Sequence, residues 1–166
     1  MPPMPPFFTR NFLPKTGQTT VYTTNDDGTY KKGYIVNPRF VDNGDGTISD
    51  RGTGLTWVKD PVTDLGTPFD AAMDFDTAIA NCEALNFAGY SDWRLPNIRE
   101  LQSIIDYGLN SPCMDPIFTT LQTFYWTSTT YSGWAPGAWA LDFGYSPVMG
   151  DAKTNSHWAR PVRAGQ

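Results

Sequence analysis

Histidine is almost missing from this chain: His157 is the only one in 166 residues. A Ser-His or Cys-His nucleophilic pair would have to use it, and no Gly-x-Ser-x-Gly or comparable nucleophile signature stands near it. Cysteine is limited to Cys82 and Cys113, and two cysteines with one histidine cannot close a tetrahedral zinc shell without carboxylate help. No phosphate-cradling glycine loop and no dinucleotide fingerprint occurs. The enzyme reading therefore rests on nothing positive, and the expectation is a protein without catalytic residues. Basic charge is also scarce. Twelve Lys and Arg against seventeen Asp and Glu leave a net charge of −5, an unfavourable field for DNA, RNA or a sulfated glycan. The only basic concentrations are Lys31-Lys32 and the Arg160/Arg163 end, so no nucleic-acid partner is expected. No apolar run approaches the roughly 20 residues of a membrane-spanning helix, and no membrane insertion is expected. The N-terminus has no charged leader or long apolar core, so no signal peptide is visible. Either a signal has been removed, or the chain leaves the cell another way, for example within a virus particle.

Aromatic, glycine and proline residues are abundant instead: six Trp, eight Tyr, ten Phe, fifteen Gly and fourteen Pro. That mixture favours many short strands, few helices and long loops, an α+β domain rather than a helical bundle. Residues 1–12 form a proline-rich N-terminal arm, in which repeated Pro forbids helix and Phe7, Phe8 and Phe12 offer something to bury. It is read either as a loose leader or as an element docking on a neighbouring subunit. Residues 13–166 form one domain. Thr19 to Tyr34 predicts a hairpin turning at Asn25-Asp26-Asp27-Gly28, and Phe40 to Ser49 a second around Asn43-Gly44-Asp45-Gly46. Leu55 to Val58 predicts a strand. Between Asp70 and Phe87 the period becomes helical, with Phe75, Ile79 and Cys82 on one side and Ala72 and Ala78 allowing close approach. Phe124 to Thr129, Ala138 to Phe143 and Trp158 to Val162 have strand chemistry.

The stretch Gly89-Tyr-Ser-Asp-Trp-Arg-Leu-Pro-Asn-Ile-Arg-Glu-Leu101 is the hardest to explain as accident. Trp93 and Leu95 alternate with Asp92 and Arg94 as a strand buried on one side would. Pro96 holds Leu95 extended, and Asn97 with Glu100 three residues on forms a capping box for a helix from Ile98 to about Tyr107. Its apolar face is Ile98, Leu101, Ile104 and Ile105, and Gly108 stops it. This order resembles the C-terminal domain family of the Legionella collagen-like adhesin. Leu13-Pro-Lys-Thr-Gly-Gln-Thr19 with Asp26-Asp27-Gly28, Arg39 to Asp50, and Thr53-Gly-Leu-Thr-Trp57 resemble that family's N-terminal half. Tyr125-Trp-Thr-Ser-Thr129 and Arg160-Pro-Val-Arg163 resemble its C-terminal half. More distantly, Trp93-Arg94-Leu95-Pro96 with Glu100 is similar to the formylglycine-generating-enzyme branch of the C-type lectin fold. The resemblance implies a C-type-lectin-like scaffold with two helices, an extracellular, cell-surface or virion-associated location, and trimers of the kind found in adhesins and tail-fibre tips. It does not by itself imply a ligand.

Several constellations have competing readings. Asp42-Asn43-Gly44-Asp45-Gly46 with Asp50 crowds oxygen ligands as a calcium loop does, but its spacing is wrong for an EF-hand and the same residues suit a tight turn. No cofactor is expected, with calcium as the alternative. No Glu-Pro-Asn or Gln-Pro-Asp triplet marks a lectin-type metal site. Cys82 and Cys113 are expected to form a disulfide worth about 3 to 4 kcal/mol in the entropic account, with two reduced core cysteines as the alternative. Asp70, Asp74, Asp76 and Glu83 are a solvated face near a helix start. Trp57, Trp93, Trp126 and Trp139 are expected to brace the core, with Arg94 and Arg163 as structural partners.

Three C-terminal loops, 131–137, 144–152 and 155–157, mix Tyr and Trp with Ser, Gly and Asn, the composition of an antibody-like binding surface. Apart from Trp134 and Met149, each of their residues can be reached from an asparagine codon by changing adenines, as in retroelement-diversified relatives of the family. The expected ligand-binding residues are Tyr131, Ser132, Trp134, Tyr145, Ser146, Asp151, Asn155 and His157. The expected function is a non-enzymatic recognition module of adhesin or tail-fibre-tip type, a homo-oligomer, that binds a cell-surface protein or neutral glycan. The alternative is an assembly subunit of an appendage or virus particle that buries the same loops between copies.

Overall fold

The computed structural model describes residues 13–145 and 147–164. Both the expected arm at 1–12 and Ser146 lie outside the described residues. The chain is α+β, with two antiparallel sheets and short helices. The larger sheet has the order β1-β2-β3-β7, from Phe40–Asp42 (β1), Thr47–Asp50 (β2), Leu55–Val58 (β3) and Val162–Ala164 (β7). The smaller is β4-β5-β6, from Phe124–Thr130, Gly137–Asp142 and Val148–Ala152. Helices α1 (Asp27–Tyr30), α2 (Pro61–Leu65), α3 (Phe75–Glu83) and α4 (Ile98–Ser103) complete the described elements.

The second expected hairpin forms as anticipated. Gly44 and Gly46 take positive φ of 78° and 83° at its turn, the conformation that favours glycine. The acidic residues of this turn are engaged by donors of the chain itself. Asp42 accepts from Gly44 N at 2.9 Å and pairs with Lys59 at 2.6 Å, while Asp45 accepts from Thr47 N and Oγ1. Asp50 is buried and held in a two-bond pair with Arg39 at 2.9 and 2.7 Å.

The first expected hairpin does not form. Asp26 caps the single turn of α1, accepting from Thr29 N at 3.0 Å and from Tyr22 N at 2.8 Å. The Thr- and Tyr-rich flanks form no strand among the described residues, and Tyr34 meets Pro14 in an isolated bridge, so an Asx-type cap prevails over β-propensity.

The capping box of α4 is present. Asn97 accepts from Arg99 N and Glu100 N, and Glu100 accepts from Asn97 N at 2.8 Å. The helix stops at Ser103, short of the expected Tyr107, yet Leu101, Ile104 and Ile105 are all buried. Trp93 and Leu95 are buried on one side, and Arg94 bridges to Val162. Helix α3 buries Phe75, Ala78 and Cys82, as its period requires.

Two apolar clusters result. One joins α4 to β2, β3 and β7 through Ile48, Trp57, Leu101, Cys113 and Val162; the other joins α3 to β4 and β5 through Phe75, Cys82, Trp126, Ala138 and Ala140. The expected disulfide is thereby corrected. Cys82 and Cys113 are free, buried and in separate clusters, and the Cys113 thiol faces Gly144 O at 3.5 Å. Each is a small core residue of its own cluster.

Candidate functional site

The smaller sheet decides which C-terminal residues meet. Strand β5 is followed at one end by the turn to β6 and preceded at the other by the turn from β4, so Tyr145 and Trp134 lie at opposite ends of it. Six residues of strand separate those ends by about 20 Å. The segment after β6 returns to Trp134's end, where Lys153 N donates to Pro136 O at 2.9 Å. The three expected loops therefore do not form one surface: 131–137 and 153–157 adjoin, and Tyr145, 76% exposed, stands apart.

Much of the expected loop 144–152 is the edge strand β6. It pairs Ala138 with Asp151, Trp139 with Gly150 and Ala140 with Met149. That register turns Asp151 to the same side as the core alanines. Its carboxylate accepts from Ala152 N at 2.8 Å and Asn155 Nδ2 at 2.9 Å, and lies 2.8 Å from His157 Nε2. Burial works against ionisation of Asp151, but the Asn155, Ala152 and His157 donors outweigh it and hold its pKa below the usual carboxylate value. His157 is half-buried, 4.4 Å from the Trp126 ring and 5.5 Å from Phe124 between centroids, and its backbone bridges Met73. Asp151, Asn155 and His157 thus form an internal clasp that ties the last loop to the sheet.

At the other side of β5 the picture is different. Tyr131 packs on Trp139 at 4.7 Å between centroids. A Cβ at Gly150 would sit 2.7 Å from the Tyr131 ring, and one at Gly137 would sit 2.5 Å from Trp134. Trp139 and Gly137 alternate on β5, and Gly150 pairs with Trp139. Three rings therefore share one face of the sheet, laid over two glycines. The turn that carries Tyr131 and Trp134 is closed by Trp134 N to Tyr131 O at 3.0 Å, Gly137 N to Trp134 O at 2.8 Å and Tyr131 N to Gly137 O at 2.9 Å. Trp134 is 45% exposed, Ser132 is exposed, and Trp139 and Tyr131 are half-buried. Trp139 belongs to this surface, although its strand position had placed it among the core tryptophans. Only the pairing of Trp139 with Gly150 could have revealed its side, and that register depends on a strand the local sequence does not announce.

A cleft of about 310 Å³ is bounded by Ile79, Glu83, Arg94, Leu95, Asn97 and Ser128. Arg94 holds Glu100 there by two bonds of 2.7 and 2.6 Å. Arg163 likewise holds Asp92 at 2.7 and 3.1 Å and lies 3.7 Å above the Tyr90 ring, so both arginines act as structural partners. Among the described residues no group of three or more His, Cys, Asp or Glu is placed to hold a metal ion, and no helix is long and apolar enough to cross a membrane.

No curated protein matches the chain. The model of the Lcl C-terminal domain family does match, over residues 46–163, a span from the β1–β2 turn to β7 that contains every strand of the two sheets except β1. With most of its length inside that match, the chain belongs to the Lcl C-terminal domain family.

Proposed function

We propose that this chain is a non-enzymatic recognition module of adhesin or tail-fibre-tip type, acting outside the cell or on a virion, whose binding surface is the β4–β5 turn. The observation that carries the reading is Trp134. It is a large aromatic side chain, nearly half exposed, on a turn closed by three backbone hydrogen bonds. A side chain held this way loses little conformational freedom when a partner covers it, so its burial is converted into affinity more fully than that of a mobile loop residue. Tyr131 and Ser132 extend the surface. Asp151, Asn155 and His157 serve it indirectly by fixing the adjoining segment. A cell-surface protein or neutral glycan fits the acidic chain better than a polyanion. Retroelement diversification, on this reading, falls on Tyr131 and Ser132, which adenine changes can reach, and spares Trp134 and the clasp.

The test is adherence of labelled protein to a panel of bacterial and eukaryotic cell surfaces, with a Tyr131→Ala/Trp134→Ala double variant in parallel. Loss of adherence in the variant supports the reading; unchanged adherence refutes it.

A second reading, assembly, is favoured by the distribution of exposed apolar groups. Val21, Tyr22, Tyr30 and Ile35 in the N-terminal segment are more than half exposed, as is Leu13. Tyr107 and Leu109 follow in the loop that this segment touches through Tyr107 N to Thr16 O at 2.7 Å. Such a concentration suits contact between copies in a homo-oligomer such as a trimer, and it leaves the Trp134 end free.

A further inference from the structure

We infer that Trp134, on the ring face it shares with Tyr131 and Trp139, is a stacking platform for a neutral pyranose. The inference rests on the recognition reading and gives its partner a chemical class. Its basis is the pair of glycines beneath the rings. Gly137 stands opposite Ala152 and Gly150 opposite Trp139, and a methyl group at either glycine would run into the ring above it. Tyr131 is enclosed by Gly150, Gly133 and Trp139, whereas Trp134 touches the bare backbone at Gly137 through one edge of its six-membered ring and stays 45% exposed, so its π-system is the one open to a ligand. A pyranose with axial hydrogens on one side offers several C–H bonds, made slightly positive by neighbouring oxygens, to the electron-rich face of such a ring.

Three further features fit a sugar. Trp139, 4.7 Å from Tyr131, holds the Tyr131 ring in its tilt without covering Trp134. Ser132 on the same turn is exposed and carries a hydroxyl that can donate to or accept from a sugar hydroxyl. No Lys or Arg lies between Tyr131 and Ala152, so the platform offers a sulfate or carboxylate no cation from its own strands, and a chain of net charge −5 disfavours such groups further.

The experiment uses the full chain on a glycan array containing neutral β-glucosides and β-galactosides, with heparin as the polyanion. Fluorescence titration with free methyl glycosides runs beside it. Wild type is expected to bind neutral pyranosides in preference to heparin. Trp134→Ala is expected to lose at least tenfold in affinity with an unchanged melting temperature, and Trp134→Phe to retain most of it. Equal binding by wild type and Trp134→Ala, a preference for heparin, or no neutral pyranoside bound at all would each overturn the inference. Adherence to deglycosylated cells that still depends on Trp134 would also overturn it while leaving the recognition reading intact. Adherence independent of Trp134 would overturn both.

Discussion

Arg160 carries its charge into the core. Its guanidinium is fully buried and donates to Val58 O at 2.6 Å, Lys59 O at 2.8 Å and Thr119 O at 2.6 Å, with the Phe118 and Tyr125 rings alongside. Burial depresses its pKa. Three carbonyls from two separate segments converge on this one fork of donors, Lys59 O also accepting from Thr119 N at 3.2 Å, and a single ammonium cannot reproduce the fork. Arg160→Met should destabilise the chain by about 3 kcal/mol, because the three buried carbonyls lose its charge-assisted bonds; urea unfolding measures it, and a change under about 1 kcal/mol would contradict the role. The cysteines give a second prediction at this scale. Burial pushes the Cys82 thiol well above its ordinary pKa, so it is a poor nucleophile. A thiol reagent should label neither cysteine in the folded protein and both after unfolding without reductant. Two unreactive cysteines after unfolding would restore the disulfide.

At the scale of elements, α4 depends on one carboxylate. Glu100 completes the cap through Asn97 N and binds Arg94 by two bonds. Burial raises its pKa, but the Arg94 and Asn97 donors lower it further, and the net value lies below the ordinary 4.5. A folded-state pKa below the unfolded one adds stability above the unfolded value, and that stability is lost as pH falls through the folded value. Glu100→Gln should therefore cost about 1 kcal/mol at pH 7, since Arg94 is partly solvated, and the difference from wild type should shrink as the pH drops below 4.5. A difference independent of pH would contradict the assignment. This element was legible in the sequence because capping and the i, i+3 period are local. So were β3, the second hairpin and the buried face of α3. Strand β6 was not. Val148-Met-Gly-Asp-Ala152 has a glycine at its centre and no alternation, because Gly150 leaves room for the Tyr131 ring and Asp151 serves His157. Both demands come from residues distant in the chain. The N-terminal hairpin failed for the converse reason: Thr and Tyr favour a strand only where a neighbouring strand exists. The division of the three expected loops between two ends of a sheet follows from β6 alone.

The whole molecule has two differently furnished regions. The N-terminal segment with the 104–109 loop exposes Tyr22, Ile35 and Tyr107, while the β4–β5 turn exposes Trp134 and Ser132. If the first region joins copies and the second meets a partner, Tyr22→Ser/Ile35→Ser should lower the oligomeric state seen by light scattering and leave single-site binding unchanged, with avidity lost on a multivalent surface. An oligomer indifferent to both substitutions would remove assembly from that region. The central claim concerns the other region, and the opposite placement of Trp134 and Tyr145 on β5 makes it directly measurable. Equilibrium binding of wild type, Trp134→Ala and Tyr145→Ala to one adherent cell surface should show a loss of tenfold or more for Trp134→Ala and an affinity within about twofold of wild type for Tyr145→Ala, because about 20 Å of strand separates the two; loss with Tyr145→Ala and none with Trp134→Ala would contradict it.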